Sequence, residues 1–318
     1  MHAPGFWWRD GVLPRLLGPV SGMVTAATAR RVSRPRWRAP VPVVCCGNVT
    51  VGGAGKTTLA LDLGARLTRR GAHVAFLTRG YGGRVREAVC VGPAHDASQV
   101  GDEAVLLAAV APTWVCADRA AAARAAIAAG ATVLVMDDGL QNPGLVQDLP
   151  LLVIDGATGF GNGRVLPAGP LREPVAVGAQ RCRAAVLIGP DRAGALPLLP
   201  PTLTVLQASL TPDAPGLAGR RVVAFAGIAH PSKFYATLAQ AGAQVMEAVD
   251  FPDHHPFSPA ELTRLFARAR ALDATLVTTP KDAVRLPPDI RARVQVAGVS
   301  LAWADERQIE ALLGELVQ

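Results

Sequence analysis

Lysine is almost missing from this 318-residue chain: of 32 basic side chains only Lys56, Lys233 and Lys281 are lysines, and the other 29 are arginines. With alanine runs such as "AAARAAIAAG", the arginine excess reads as coding bias, so the net charge of +7 says little about partners. The three lysines say more, because a compact ammonium and a planar guanidinium suit different sites. Cysteine is scarce as well, five residues without a C-x-x-C pair, which excludes a disulfide framework and a cysteine-based metal site. Cys45, Cys46, Cys90, Cys116 and Cys182 fall mostly in apolar, strand-like stretches and are expected as buried, reduced thiols in cytosol. No long hydrophobic run opens the chain, since Arg9, Asp10 and Arg15 interrupt it. A spanning helix of ~20 apolar residues and a signal peptide are both excluded on that reading. Repeats of solenoid length are absent too.

What is present is a globular composition, half hydrophobic and 18% charged, in a chain long enough for two domains. From Pro42 onward apolar strands alternate with helices. "PVVCC", "HVAFLT", "TWVC", "TVLVM" and "LPLLVID" read as buried strands. Helices are expected from about Lys56 to Arg70, over "GDEAVLLAAV", and over "DRAAAARAAIAAG" between an Asp118 cap and Gly130. The expected fold is α/β: a P-loop NTPase-like parallel sheet covered by helices on both faces, with a second, smaller α/β domain. Residues 41–210 would form the first domain and 211–318 the second, following a proline-rich stretch, "PDRAGALPLLPPTLTV". Between Asp155 and about Arg183 lies a glycine- and proline-rich segment without periodicity, of a length that is usually functional or disordered.

Chemistry concentrates at the strand ends, where ligands of such sheets bind. "GNVTVGGAGKTT" follows the first strand and opens a helix. It departs from G-x-x-x-x-G-K-[ST], because Thr50 stands at the first glycine, yet the three glycines nearest the lysine remain. Gly52, Gly53 and Gly55 let backbone N–H groups face phosphate oxygens, Lys56 would neutralise the β- and γ-phosphates, and Thr57 would hold Mg²⁺. Ala54 and Thr58 complete the loop expected to bind ATP. "VLVMDDG" delivers Asp137 and Asp138 to a strand end, the usual place for the acid that steadies Mg²⁺. Taken alone, Asp102 and Glu103 in "GDE" read as complements of a helix dipole. His254 in "FPDHHPFSPAEL" reads alone as a structural or exposed histidine before a Ser258–Glu261 capping box. These residues by themselves define a P-loop nucleotide enzyme or switch.

Together, "GNVTVGGAGKT", "TRGYGGR", "VGDEA", Asp118–Arg119, "DDGLQN", "LPAGPLREP", "FAGI", "PDHHPF" and "TTPKDAVRL" resemble the tetraacyldisaccharide 4'-kinase family, the lipid A kinases of Gram-negative bacteria. The resemblance spans nearly the whole chain in family order. It implies transfer of the γ-phosphoryl group of ATP to the 4'-hydroxyl of a tetraacylated glucosamine disaccharide 1-phosphate, a step of lipid A and lipopolysaccharide biosynthesis at the cytoplasmic face of the inner membrane. It also implies that Asp102, aided by His254, accepts the hydroxyl proton. Glu103, Asp137 and Thr57 would hold the metal, with Asp138 and Lys56 arranging the reacting groups. Tyr81, Arg119, Gln141 and Arg172 match positions that help bind nucleotide or lipid headgroup. Asn142, Pro280 and Thr58 depart from the family's more usual histidine, glutamate and proline.

In residues 1–40, Phe6, Trp7, Trp8, Leu13, Leu16, Leu17, Val20 and Met23 are expected to form one apolar stripe, followed by Arg30, Arg31, Arg34, Arg36 and Arg38. With an acylated substrate, this pattern reads as a peripheral anchor on an anionic membrane surface; otherwise it is a helix packed on the domain. No nucleic acid and no obligate protein partner are expected. Two alternatives remain: a membrane-associated ATPase switch of the deviant-Walker type, although Val51 replaces the lysine it needs, and a kinase for another membrane-bound sugar.

Overall fold

The computed structural model describes residues 4–34 and 36–316, so the expected segments 1–40 and 211–318 lie partly outside it. Thirteen strands occur among the described residues: β1 Val43–Gly47, β2 Val74–Thr78, β3 Val89–Cys90, β4 Thr113–Val115, β5 Val133–Asp137, β6 Leu149–Asp155, β7 Ala184–Ile188, β8 Thr204–Asp213, β9 Arg221–Ala226, β10 Gln244–Asp250, β11 Thr275–Thr278, β12 Gln295–Val296 and β13 Gly298–Trp303. Nine of them form one sheet in the order β13-β8-β7-β6-β1-β5-β2-β4-β3, and four form a second, β10-β9-β11-β12. The large sheet is parallel except at its two edges, where β3 and β13 run antiparallel to their neighbours.

Alternation along the strands explains the two covered faces. In β1, Val44 and Cys46 point into the core beneath the helix Lys56–Arg69, with its Leu59, Leu63 and Leu67. Val43 and Cys45 point the other way, against Ala122, Ala123 and Ala126 of the helix Arg119–Ala128. Each of those fully buried leucines contributes roughly 1.5–3 kcal/mol. Asp118 caps the alanine helix as expected, its carboxylate accepting from the N–H groups of Ala120 and Ala121. Cys90 differs from the expectation for the cysteines: it is exposed on the edge strand β3.

The chain's tail takes part in both sheets. Residues 221–296 build the small parallel sheet, but β13 returns to pair with β8, from Gly298 with Asp213 to Trp303 with Ala208. The following helix, Glu306–Gly314, lies against the Lys56–Arg69 helix. Buried Arg66, paired with Asp62 on its own helix (2.8 Å), joins the two through Glu310 (2.6 Å) and Glu306 (3.3 Å). Just before the proline-rich stretch lies β7, whose "AAVLI" is an interior strand of the large sheet.

The N-terminal stripe is likewise broken up. Pro14 and Pro19 with Gly11 and Gly18 divide it into a turn Gly5–Trp8 and helices Val12–Leu16 and Gly18–Val32. Trp7 turns inward, its indole N–H donating to Pro167 O (3.1 Å), while Val12, Leu16 and Met23 stay 75%, 72% and 73% exposed. Arg31, Arg36 and Arg38 are engaged by Gln141 O, Val32 O and Asp148. No helix among the described residues is long and apolar enough to cross a membrane.

Candidate active site

Strand β1 sits at the point where the chain turns from one half of the sheet to the other, with β5 and β6 as its two neighbours. The loop from β1 into the helix Lys56–Arg69 therefore opens at the crevice expected for ligands. Gly55 caps this helix at φ +87°, a left-handed conformation that admits glycine, and its missing Cβ leaves room for Ile188. Thr50 fits because the loop runs extended there: it bridges to Leu171, and its hydroxyl accepts from the Asn48 amide at 2.9 Å. This pairing brings "LPAGPLREP" alongside the glycine loop, with Val51 N–H donating to Pro170 O and Arg172 N–H to Val49 O.

Lys56 reaches back over its own loop. Its ammonium donates to Asn48 Oδ1 (3.1 Å) and Gly52 O (3.3 Å) and lies 3.8 Å from Asp138 Oδ1. The Thr57 hydroxyl donates to Asp137 Oδ2 at 2.9 Å. Asp137 is buried, and its Oδ1 has no partner. Burial, with the charges of Glu103 and Asp138 close by, pushes its carboxyl up to about 7 against the pull of Lys56. An orphaned oxygen in that position asks for a cation. Among the described residues no group of three or more His, Cys, Asp or Glu side chains could hold a metal. Mg²⁺ does not need one, since it keeps waters and substrate phosphates and takes one or two carboxylates; Thr57, Asp137 and Glu103 fit it.

Asp138 stands at φ +54° and is gripped by the Arg172 fork, Nη1 to Oδ1 at 2.8 Å and Nη2 to Oδ2 at 2.9 Å. Burial raises its carboxyl, but Lys56 and Arg172 outweigh that and hold it below the ordinary carboxylate range. Gln141 lies beneath, donating to Asn48 O (2.8 Å) and Glu173 (2.7 Å) and accepting from Arg172 (3.3 Å). Arg119 is buried too, donating to Cys116 O, with its Nε unpartnered. Burial pushes its guanidinium down to about 10 against the attraction of Asp138 and Asp137. Gln141 and Arg119, expected to help bind nucleotide or headgroup, are both buried in this structure. Tyr81 is exposed, with its ring 6.2 Å from that of His254.

The second cluster joins the two sheets. Gly101 turns the chain at φ +89° into the helix Asp102–Ala108, packed so tightly that an added Cβ would meet Tyr81 O at 2.5 Å. Gly101→Ala is expected to cost about 1–3 kcal/mol, read as a lowered midpoint of denaturant unfolding, because neither backbone can yield cheaply. Asp102 Oδ2 meets His254 Nδ1 at 2.8 Å and Arg285 Nε at 2.9 Å, with Arg285 Nη2 closing the fork. Burial opposes ionisation, yet the His254 and Arg285 bonds bring the Asp102 carboxyl down to about 2. The Asp102 bond in turn raises His254 above the ordinary imidazole value. Lys281 pairs with Glu103 at 3.0 Å. Burial works against the Lys281 charge, but Glu103, then Asp137 and Asp102, raise its pKa, so both acid clusters face one space. The Ser258–Glu261 box forms as expected and leaves His254 in the loop before the helix Pro259–Ala271. Pro280 suits its place in the first turn of the short helix Pro280–Ala283, where no N–H is required.

Sequence reasoning had assigned no role to Arg285 or Asn48. Arg285 stands in the quoted "TTPKDAVRL", so the motif was visible while its target, Asp102, was not. The Asp102–His254 bond joins the two sheets directly.

A parallel sheet with a phosphate-binding loop at β1 and a carboxylate at the end of β5 defines a P-loop NTPase-like protein. A family model described as tetraacyldisaccharide-1-P 4'-kinase matches residues 13–318, and the chain belongs to that family. It is 62% identical to a tetraacyldisaccharide 4'-kinase of Gluconacetobacter diazotrophicus, covering 98% of this chain and 97% of the relative. It is 53% identical to one from Rhodospirillum centenum, covering 100% and 97%. Among solved structures, LpxK from Aquifex aeolicus, crystallised in complex with ATP, superposes with a TM-score of 0.78 at 25% identity, covering 96% of this chain and 100% of that one.

Proposed function

We propose that the protein binds ATP with Mg²⁺ and transfers the γ-phosphoryl group to the 4'-hydroxyl of tetraacyldisaccharide 1-phosphate. The observation that carries this reading is the convergence of the Lys56–Thr57 loop and the Asp102–His254 pair on one crevice. The loop's N–H groups, Lys56 and the helix N-terminus hold the phosphates. Thr57, Asp137 and Glu103 would hold Mg²⁺, which would supply positive charge to neutralise the transferring phosphoryl group. Asp138, fixed by Arg172 beside Lys56, arranges the reacting groups. The acceptor oxygen attacks the γ-phosphorus, the bond to the ADP oxygen breaks, and the hydroxyl proton passes to Asp102. Asp102, which the His254 and Arg285 bonds hold ionised, takes that proton as the forming P–O bond makes the hydroxyl acidic. His254, Lys281 and Arg285 come from the second sheet, so its seating over the first excludes water from the transfer.

The substrate's acyl chains require the enzyme at a membrane. Val12, Leu16 and Met23 form the exposed apolar surface for a peripheral seat on the anionic cytoplasmic face of the inner membrane. Burying Leu16 and Met23 is worth roughly 1.5–3 kcal/mol each, so Leu16→Asp with Met23→Asp should weaken sedimentation with anionic vesicles by about 100-fold or more. Unchanged sedimentation would remove the membrane assignment.

The test of function is purified protein in detergent micelles with ATP, Mg²⁺ and the acylated disaccharide 1-phosphate, followed by mass spectrometry. The lipid should gain one phosphate at the 4'-position. ATP bound without that gain would point to another acceptor, and ATP-dependent dimerisation without transfer would point to a switch.

A further inference from the structure

Asp102 receives three side-chain bonds, and all of them fall on one oxygen, Oδ2. Its two partners are not alike. The His254 side chain is 46% exposed, whereas that of Arg285 is 8% exposed. Arg285 is also pinned from behind: Nη1 donates to Gly227 O and to Asp282 Oδ1, each at 3.1 Å. Asp282 is wholly buried and is itself held by the Thr279 hydroxyl (2.6 Å) and the Gly227 N–H (3.0 Å). A rigid chain thus runs from the core of the small sheet, through Asp282 and the planar guanidinium, to one edge of the Asp102 carboxylate. An exposed imidazole on a loop offers no comparable anchor.

We propose that Arg285 is the positioning residue of the transfer step: its Nε and Nη2 together hold Oδ2 of Asp102 in place and leave Oδ1 for the acceptor hydroxyl. This rests on the kinase reading and deepens it. Orientation of the reacting oxygen is where such enzymes gain much of their rate, and two N–H groups of a rigid guanidinium converging on one oxygen hold it as a single flexible ammonium does not. Arg285 also makes that orientation conditional, because the acid belongs to the large sheet and the fork to the small one. Asp102 is correctly aimed only while the small sheet is seated.

The experiment compares wild type, Arg285→Ala and Arg285→Lys for kcat and for the KM of ATP, with and without added guanidinium ion. Arg285→Ala should lower kcat by about 100-fold, the lower end of what a positioned proton acceptor supplies, with the KM of ATP within threefold or so of wild type. Arg285→Lys should remain at least about tenfold slow, since it keeps charge and loses the fork. Free guanidinium should restore part of the rate to Arg285→Ala and none to Arg285→Lys, a response that loss of packing does not give. Should Arg285→Ala fail to fold, Arg285→Lys decides alone: a wild-type kcat there overturns the inference. So does a wild-type kcat in Arg285→Ala, or a loss confined to the KM of ATP. Absence of lipid phosphorylation by the wild-type protein would instead overturn the kinase reading beneath it.

Discussion

Asp102→Asn is expected to lower kcat by about 10²–10⁴-fold, the range for a positioned proton acceptor, while ATP binds as before. The substitution keeps shape and hydrogen-bonding capacity but removes the charge that His254 and Arg285 both address. An amide oxygen can still receive Arg285, yet it cannot take the acceptor's proton. ATP affinity is spared because the loop partners of Lys56 and Thr57 are Asn48, Gly52, Asp138 and Asp137, none of which contacts Asp102. The geometry gives a second readout. His254 owes its raised pKa first to the Asp102 bond, so its titration by NMR should move down in Asp102→Asn. Single-turnover kinetics showing full-rate transfer, or a defect seen only in the KM of ATP, would remove Asp102 from the chemistry.

Lys56→Ala is expected to damage both binding and transfer. The ammonium is nearly enclosed, 10% exposed, and its contacts with Asn48 and Gly52 lie within its own loop. It is therefore poised to exchange loop acceptors for phosphate oxygens. Loss of one such donor from a preorganised site costs about 10²–10³ in kcat, and here the affinity for ATP should fall as well. Lys56→Arg should rescue little, since a planar guanidinium does not fit the place of a compact ammonium. Nucleotide titration by calorimetry beside steady-state kinetics separates this double defect from the kcat-only defect of Asp102→Asn.

The difference between the two variants mirrors what could be read in the sequence. The loop from Gly52 to Thr58 and the acids of "VMDDG" are local signals: a strand, a turn and a helix adjoin in the chain, so spacing alone places them at one sheet edge. The Asp118 cap and the Ser258–Glu261 box were readable for the same reason. The second cluster was not. Arg285 and Asp102 are 183 residues apart, and nothing in either's surroundings names the other. Family resemblance marked Asp102 and His254 as acting together, yet it left the Arg285 fork and the Lys281–Glu103 pair to the fold. β7 was lost because proline and glycine on both sides hid five apolar residues. β13 was lost because its partner β8 is reached only after the chain has built the small sheet and come back. Arg119 and Gln141 matched binding positions by motif, while their burial was set by packing that the motif does not carry.

The measurement that bears most directly on the whole assignment is the stoichiometry of transfer. Wild type and Asp102→Asn would each be mixed with ATP, Mg²⁺ and the acylated disaccharide 1-phosphate in micelles, and ADP formed would be compared with phosphate gained by the lipid. One lipid phosphate per ADP in wild type, with both products lost together in Asp102→Asn, is the expected result. ADP accumulating without phosphorylated lipid, or Asp102→Asn transferring at the wild-type rate, would contradict it.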